Sequence, residues 1–197
     1  MGQKIVIDNI KPLEKGKFIK TKMIEATRAD GKKIQWEMAD FKDSVHILVE
    51  NTETNKIVLV QQPRVPVIIK NPETNGEVYE ACAGIIDKDC SIEQIAVEEV
   101  LEELGYKVDL ENLIPVRTYM SSVGSQGSTC YSFFCKVTNK DKVSEGGGLP
   151  EEDITVIELS YTEVLDLIEG NIGGKFIDST TLFLLTRWLL TNGQFKV

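Results

Sequence analysis

The chain has 197 residues, of which 42% are hydrophobic, enough for a single domain with a sizeable core. A formal net charge of −9 argues against nucleic acid and membrane surfaces as partners, because both require a basic surface. The sequence contains no apolar run that could span a bilayer and opens with no charged-then-apolar leader, so we expect a cytosolic protein.

Alternating apolar and polar residues predict a series of strands in the first third of the chain. They cover residues 4–10, 17–27, 32–39, 44–51 and 56–62. A hairpin turn is predicted at residues 29–31, where Asp30 and Gly31 stand between the second and third strands. The only histidine, His46, lies within the fourth strand, which favours a structural role for it.

The middle of the chain predicts a loop, a strand and a helix. Residues 63–76 contain three prolines and an Asn-Gly pair, which predict a loop. A strand over 78–84 follows. Ser91, with Gln94 three residues later, is a capping-box pattern, so the helix should start at Ser91 and end at Gly105.

The last third predicts strands and then helices. Strands are expected over 113–119, 129–137 and 154–160, and helices over 161–168 and 179–190. Many strands and few helices indicate the α+β class. The four cysteines lack the spacing of a zinc site and are expected to be reduced core thiols; they are Cys82, Cys90, Cys130 and Cys135.

The most informative feature is an acidic face on the middle helix. Glu99, Glu102 and Glu103 are spaced i, i+3 and i+4 on a helix that has no Lys or Arg. Like charges at this spacing repel by a few tenths of a kcal/mol per pair. A hard divalent cation such as Mg²⁺ would offset that repulsion, since it prefers oxygen ligands. The alternative is a solvated acidic face.

Residues 84–106 resemble the signature of the Nudix hydrolases, G-x5-E-x7-R-E-U-x-E-E-x-G-U, in which U is aliphatic. The matching positions are Gly84, Glu99, Val100, Glu102, Glu103 and Gly105, with Tyr106 in the last aliphatic position. Two positions depart, because Cys90 replaces the first Glu and Glu98 replaces the Arg. In the family those two side chains bridge each other, so their joint replacement should remove a brace and keep the metal ligands.

The resemblance covers nearly the whole chain and implies a fold. It implies an α+β Nudix fold, a mixed β-sheet sandwiched between helices, with extra N-terminal antiparallel strands. We expect residues 1–42 to be an N-terminal strand region that forms a homodimer, and residues 43–197 to be the Nudix hydrolase domain. Three segments are most similar to the nucleoside-diphosphate-sugar branch of the family; they are residues 82–89, 119–125 and 145–159.

The resemblance also assigns roles near the metal. It implies Mg²⁺, or Mn²⁺ in its place, held by the backbone carbonyl of Ala83 and by the three helix carboxylates, Glu99, Glu102 and Glu103. Glu152 matches the loop carboxylate that orients the attacking water, and its neighbour Glu151 could substitute for it. Both follow the run Gly146-Gly147-Gly148, which we expect to be mobile. A solvated acidic loop is the alternative.

On the substrate side, Arg64 matches the family's phosphate clamp, and its guanidinium suits bidentate contact with phosphate oxygens. Phe18 and Trp36 match two aromatic side chains that sandwich the base, one from each subunit of the dimer. The alternatives are a surface charge for Arg64 and core or interface positions for the two aromatic residues.

The implied reaction is Mg²⁺-dependent hydrolysis of a nucleoside diphosphate sugar. UDP-glucose, giving UMP and glucose 1-phosphate, is the first expectation, and ADP-ribose, giving AMP and ribose 5-phosphate, is the second. Cys90 and Glu98 motivate a different hypothesis, a catalytically weak or inactive protein that binds nucleotide sugars. Hydrolysis of modified nucleotides or dinucleotides fits the acidic helix equally well but not the extra N-terminal strands.

Overall fold

The N-terminal region forms a hairpin that is not part of the main sheet. The computed structural model describes residues 5–16, 19–171, 175–191, 193 and 195. Strands β1 (Lys20–Thr27) and β2 (Lys33–Asp40) pair antiparallel as a separate two-stranded sheet. The predicted turn is confirmed, because Gly31 adopts φ +82° and its N–H donates to the carbonyl of Arg28 at 2.9 Å.

Residues 5–16 form neither a strand nor a helix, so the strand predicted over 4–10 is wrong for the part that is described. The side chains of Val6 and Ile10 are 73% and 71% exposed, so they do not pack against an apolar surface of the described residues. Alternation alone does not make a strand, because a strand needs a hydrogen-bonded neighbour and a face to bury.

The main sheet is mixed and has eight strands in the part of the chain that the structure describes. They are β3 (Ser44–Asn51), β4 (Lys56–Pro63), β5 (Glu77–Glu80), β6 (Cys82–Ile85), β7 (Ile114–Ser121), β8 (Ser128–Val137), β9 (Thr155–Leu159) and β10 (Phe176–Ile177). The order is β10-β5-β4-β3-β8-β7, with β6 paired to β3 and β9 paired to β4. The β3–β8 and β5–β10 pairs are parallel, and the other pairs are antiparallel.

Four α-helices accompany the sheet in the described ranges. They are α1 (Val65–Lys70), α2 (Ile92–Glu99), α3 (Tyr161–Glu169) and α4 (Ser179–Thr191), and α2 continues into a π-helical turn, Val100–Leu104. Ser91 caps α2 by accepting a hydrogen bond from the N–H of Gln94 at 3.1 Å, which confirms the predicted start. None of these helices combines the length and apolarity needed to cross a bilayer.

Helix α1 replaces part of the loop predicted over 63–76. Its first turn contains a proline, which is favourable there because proline presets φ and lacks an N–H that would find no helical partner. The predicted strand over 78–84 is also interrupted. Ala81 separates β5, which pairs with β4, from β6, which pairs with β3. At this break the Ala81 N–H donates to the hydroxyl of Thr181 at 2.7 Å.

The sheet lies between two layers of helices. Alternate residues of β3 face opposite sides, as strand geometry requires. Val45, Ile47 and Val49 pack in a core with α2 and the π-helical turn, whereas Leu48 packs in a second core with α3 and α4. The predicted α+β class and the mixed sheet sandwiched between helices are confirmed.

Candidate active site

The acidic helix face and the start of the preceding loop are in direct contact. The Ala83 N–H donates to Oε2 of Glu103 at 3.0 Å. A Cβ atom built on Gly84 would lie 2.3 Å from Oε1 of Glu99, so only glycine lets the loop approach this carboxylate so closely. The strand-loop-helix unit therefore places Ala83, Glu99 and Glu103 side by side.

The C-terminal part of the predicted helix is a π-helical turn, not an α-helical one. The carbonyls of Glu102 and Glu103 accept hydrogen bonds from the N–H groups of Gly148 and Gly147, at 3.1 and 2.8 Å. These donors come from a distant loop, so the local sequence could not reveal them. Such π-turns within helices are frequent at functional sites.

Burial and mutual repulsion raise the pKa of two of the carboxylates. Desolvation is the main cause of a rise in the Glu99 pKa to about 7, and Glu102 and Glu152 add to it. Desolvation also raises the pKa of Glu103 to about 7, although its hydrogen bond from Ala83 opposes the rise; Glu99 and Glu152 add to it. These carboxylates act on one another and form one negatively charged cluster.

The donor set fits a hard divalent cation, because it consists of carboxylate oxygens. Within residues 5–16, 19–171 and 175–191, no three His, Cys, Asp or Glu side chains are arranged to hold an ion as they stand. One oxygen of Glu103 accepts the Ala83 N–H. The chemistry of the site fits Mg²⁺ or Mn²⁺, whereas its convergent geometry is incomplete.

The glycine run is hydrogen-bonded to the acidic helix. Gly146, Gly147 and Gly148 all have positive φ, and the last two make the hydrogen bonds to the π-turn described above. The mobility of this run stays a prediction. Glu152 accepts the N–H of Leu149 at 2.8 Å. Glu151 and Glu152 are both exposed, but the charge of Glu152 is among those that raise the pKa values of Glu99 and Glu103, whereas the charge of Glu151 is not.

A cleft of about 780 Å³ adjoins the acidic cluster through Ala83. Arg64 reaches this cleft and is held by Glu80, whose Oε1 accepts from Nε at 2.8 Å and whose Oε2 accepts from Nη2. This hydrogen bonding raises the pKa of Arg64. Arg64, the predicted phosphate clamp, therefore lines the cleft, with the Glu80 carboxylate oriented against two of its N–H groups.

Trp36 lies on the hairpin, and Phe18 lies outside the described residues. The indole N–H of Trp36 donates to the carbonyl of Gly124 at 2.8 Å, in the loop between β7 and β8. Gln126 from the same loop and Ser121 at the end of β7 line the cleft, as does Asp40 at the end of the hairpin. Trp36 is 52% exposed, so part of its ring is available for stacking.

One of the two departures from the signature, Glu98, forms a salt bridge with Lys88 that we did not predict. Glu98 accepts from Lys88 Nζ at 2.9 Å and from Gln94 Nε2 at 3.0 Å, and its hydrogen bond from Lys88 lowers the Glu98 pKa. Lys88 in the loop and Glu98 in the helix thus form a salt bridge with the charges reversed relative to the family's Glu and Arg, which we call the reversed brace. The sequence had predicted that the contact between loop and helix is lost. Cys90 is exposed. The feature of the sequence that could have predicted this salt bridge is Lys88, two residues before Cys90.

The structure also brings His46 to the cleft, which the sequence did not predict. Its Nε2 atom lies 2.9 Å from the Ser44 hydroxyl, and both side chains line the cleft. Strand alternation would have placed these two residues on one face. It could not have shown that this face lines the cleft that also contains Ala83 and Arg64.

Comparison with known proteins gives a family match and relatives of similar length. The model of the NUDIX domain matches residues 40–178. A GDP-mannose pyrophosphatase of Escherichia coli K12 is 32% identical over 164 residues, which is 82% of each chain. A GDP-mannose pyrophosphatase of Citrobacter koseri is 32% identical over 189 residues, covering 94% of this chain and 95% of that one.

Proposed function

This chain belongs to the Nudix family, and from that premise we propose that it hydrolyses the diphosphate bond of nucleoside diphosphate sugars. The products would be a nucleoside monophosphate and a sugar phosphate. The observation that carries the proposal is the cluster of Glu99 and Glu103 against Ala83 and Gly84, beside a cleft into which Arg64 reaches. We also propose the cytosol as its compartment.

The relatives refine the choice of substrate. Proteins named GDP-mannose pyrophosphatases match this chain over 82–94% of its length, which includes much of the N-terminal hairpin in the longest match. We therefore place GDP-mannose first among the candidate substrates. UDP-glucose and ADP-ribose, the two substrates expected from the sequence, follow it.

Each site residue has a proposed role in this reaction. Glu99, Glu102, Glu103 and the Ala83 carbonyl would hold Mg²⁺ or Mn²⁺, which supplies charge neutralisation of the diphosphate and lowers the pKa of an attacking water. Glu152 would orient that water and accept its proton; Glu151 is the substitute.

Arg64 would bind the phosphates on the other side of the cleft. Its guanidinium has five N–H donors, and only two of them are directed at Glu80. The remaining donors suit phosphate oxygens. Glu80 would keep the guanidinium plane oriented while the phosphates bind.

The hairpin supports a homodimer. Register pairs place Ile24 opposite Trp36, Ala26 opposite Ile34 and Lys22 opposite Met38, so one face of the two-stranded sheet is largely apolar. Every residue of β1 is exposed. A second copy of the chain would cover this face. Residues 1–42 would then form the dimerising region, and Phe18 and Trp36 would flank the base in a shared site.

A substrate panel tests the proposal. The purified protein with Mg²⁺ would be given GDP-mannose, UDP-glucose, ADP-ribose and a dinucleoside polyphosphate, with products separated by anion-exchange chromatography. We expect a nucleoside monophosphate and a sugar phosphate in equal amounts from at least one nucleotide sugar. Binding of the nucleotide sugars without turnover of any of them would instead support the inactive binding protein.

A further inference from the structure

One part of the cleft wall, formed by two half-buried and two buried residues, is not used by the proposed reaction. This buried wall consists of Ser44 and His46 from β3, Cys130 from β8, and Thr180 from α4. Cys130 and Thr180 are only 3% and 7% exposed. His46 is the register partner of Ala83 on the neighbouring strand β6, so the buried wall begins directly beside the proposed diphosphate position.

The buried wall presents hydrogen-bonding groups that are only partly used. The Ser44 hydroxyl lies 2.9 Å from Nε2 of His46 and 3.6 Å from Sγ of Cys130. Nδ1 of His46 makes no hydrogen bond to any part of the chain that the structure describes. Burial lowers the pKa of His46, and the charge of Asp178 opposes this change. A neutral imidazole has one donor and one acceptor nitrogen.

The charge beside the buried wall argues against a phosphate at this position. Asp178 also lines the cleft here, whereas the charge of Glu80 is balanced by Arg64. The Thr180 N–H at the start of α4 already donates to Oδ1 of Asp178 at 2.7 Å, so the helix start is satisfied by a carboxylate. An anion at Thr180 would meet the negative charge of Asp178, whereas a hydroxyl group can donate to a carboxylate and accept from neutral donors.

We propose that His46, together with Ser44 and Thr180, forms a hydroxyl-binding subsite for a sugar ring of the substrate. This inference rests on the proposed function, because it assumes a nucleotide sugar in the cleft. Two rings flank the diphosphate, the ribose of the nucleoside and the transferred sugar, and both carry hydroxyl groups. The subsite would therefore contribute to substrate specificity and not to the chemical step.

The variants isolate the polar contacts. His46→Leu removes both nitrogen atoms and keeps an apolar side chain of similar size, and His46→Asn restores a donor and an acceptor near Nδ1. Ser44→Ala tests the same site with a smaller change. Thr180→Val has a matched control, Thr186→Val, because Thr186 lies on the same helix but is exposed and bonds only to the carbonyl of Leu182.

Three substrates distinguish the two rings. They are the full nucleotide sugar, a nucleoside diphosphate methyl ester that lacks the transferred sugar, and an analogue whose nucleoside carries 2′,3′-dideoxyribose. With the full substrate, His46→Leu should raise KM about fivefold, the loss of one neutral hydrogen bond, and leave kcat nearly unchanged. His46→Asn should recover part of this loss, and Thr180→Val should raise KM where Thr186→Val does not.

The pattern across the substrates assigns the ring. If the subsite binds the transferred sugar, His46→Leu affects the full substrate and the dideoxy analogue but not the methyl ester. If it binds the ribose, His46→Leu affects the full substrate and the methyl ester but not the dideoxy analogue. An equal effect on all three substrates, or none on the full substrate, would overturn the proposal.

Titration calorimetry in EDTA separates this inference from the proposed reaction, since it needs no turnover. A parent protein that binds the nucleotide sugar without hydrolysing it would refute the reaction. In that case, weaker binding by His46→Leu that depends on one ring would still uphold the subsite. Equal affinity of the parent and His46→Leu for all three ligands would reject the subsite and leave the reaction intact.

Discussion

Glu99 is half-buried and Glu103 is buried, and their pKa values of about 7 make the stability of the protein depend on pH. The folded state holds these protons more tightly than the unfolded state, in which the pKa is near 4.5. The resulting stability is fully present below about pH 4.5 and is lost as the pH rises through about 7. We predict that the metal-free protein unfolds at a lower temperature at pH 8 than at pH 5, measured by circular dichroism in EDTA.

Two variants test the origin of this pH dependence. Glu103→Gln cannot ionise and should reduce the change of unfolding temperature with pH. Glu93→Gln, at an exposed position on the same helix, should leave this change as it is in the parent. Mg²⁺ should stabilise the parent more at pH 8 than at pH 6, because the carboxylates must lose their protons to bind it. A thermal unfolding midpoint that rises between pH 5 and 8 in EDTA would contradict the assignment of the pH dependence to Glu99 and Glu103.

Lys88 and Glu98 form the reversed brace between the loop and the acidic helix. Lys88→Glu or Glu98→Lys alone would place like charges in contact and disturb the loop that begins at Gly84. The pair is exposed, so we predict only a small loss of turnover for each, about two- to threefold. The charge-swapped double variant should regain most of it. A double-mutant cycle measures this coupling, and strictly additive losses would show that the brace has no role.

Single-residue patterns in the sequence were sufficient for the acidic cluster but not for its neighbours. The spacing of Glu99, Glu102 and Glu103 depends only on helix geometry, so the face could be predicted. The Lys88 partner required the path of the loop, and the cleft position of His46 required the pairing of β3 with β6. Contacts between distant segments determine both, and neither leaves a local pattern.

At the scale of elements, the glycine loop positions Glu152. A Cβ atom on Gly148 would lie 2.3 Å from Oε2 of Glu152, so Gly148→Ala should displace this carboxylate. We predict a fall in kcat of about 10²- to 10⁴-fold with little change in KM, the range typical of a lost general base. Steady-state kinetics on the nucleotide sugar measures both constants.

Gly170→Ala is the matched control for this substitution. Gly170 has nearly the same φ, +77° against +72°, but a Cβ atom there would meet nothing within 4 Å. Both variants carry the backbone strain of a positive φ, and only Gly148→Ala should lose turnover. Equal losses in the two variants would mean that strain, and not contact with Glu152, is responsible.

The elements that the sequence missed share one cause. The π-turn is accompanied by hydrogen bonds from Gly147 and Gly148, and β5 separates from β6 where Ala81 bonds to α4. The N-terminal strand was predicted from alternation, yet no described neighbour pairs with residues 5–16. Propensity describes each segment alone, and tertiary hydrogen bonds decide among the alternatives.

At the scale of the whole molecule, the apolar face of the hairpin predicts a dimer. Ile24→Lys would place a charge in the centre of this face and should give a monomer by light scattering, where the parent is a dimer. Met23→Lys is the control, because Met23 is the adjacent exposed residue and points to the opposite face. Trp36→Ala should raise KM for the nucleotide sugar through lost stacking of the base.

Two results would contradict the shared site. A monomeric parent at working concentration would remove the dimer, and an unchanged KM in Trp36→Ala would remove the stacking contact. If Met23→Lys disrupted the dimer as strongly as Ile24→Lys, the apolar face would not be the interface.

The overall class was predictable from strand and helix patterns. The extra N-terminal antiparallel strands were expected from the family resemblance and are confirmed. Strand patterns alone could not show that these two strands form a sheet of their own, because alternation does not tell which strands pair.

The turnover of Glu103→Gln tests the central claim most directly, that the acidic cluster beside Ala83 performs metal-dependent hydrolysis of a nucleotide sugar. The variant keeps the size of the side chain and can still accept a hydrogen bond from Ala83, but it removes one charged oxygen ligand. With Mg²⁺ and GDP-mannose, or the best substrate of the panel, kcat should fall by about 10³-fold or more, and Glu93→Gln should match the parent. A folded Glu103→Gln protein that hydrolyses the substrate as fast as the parent would contradict the account.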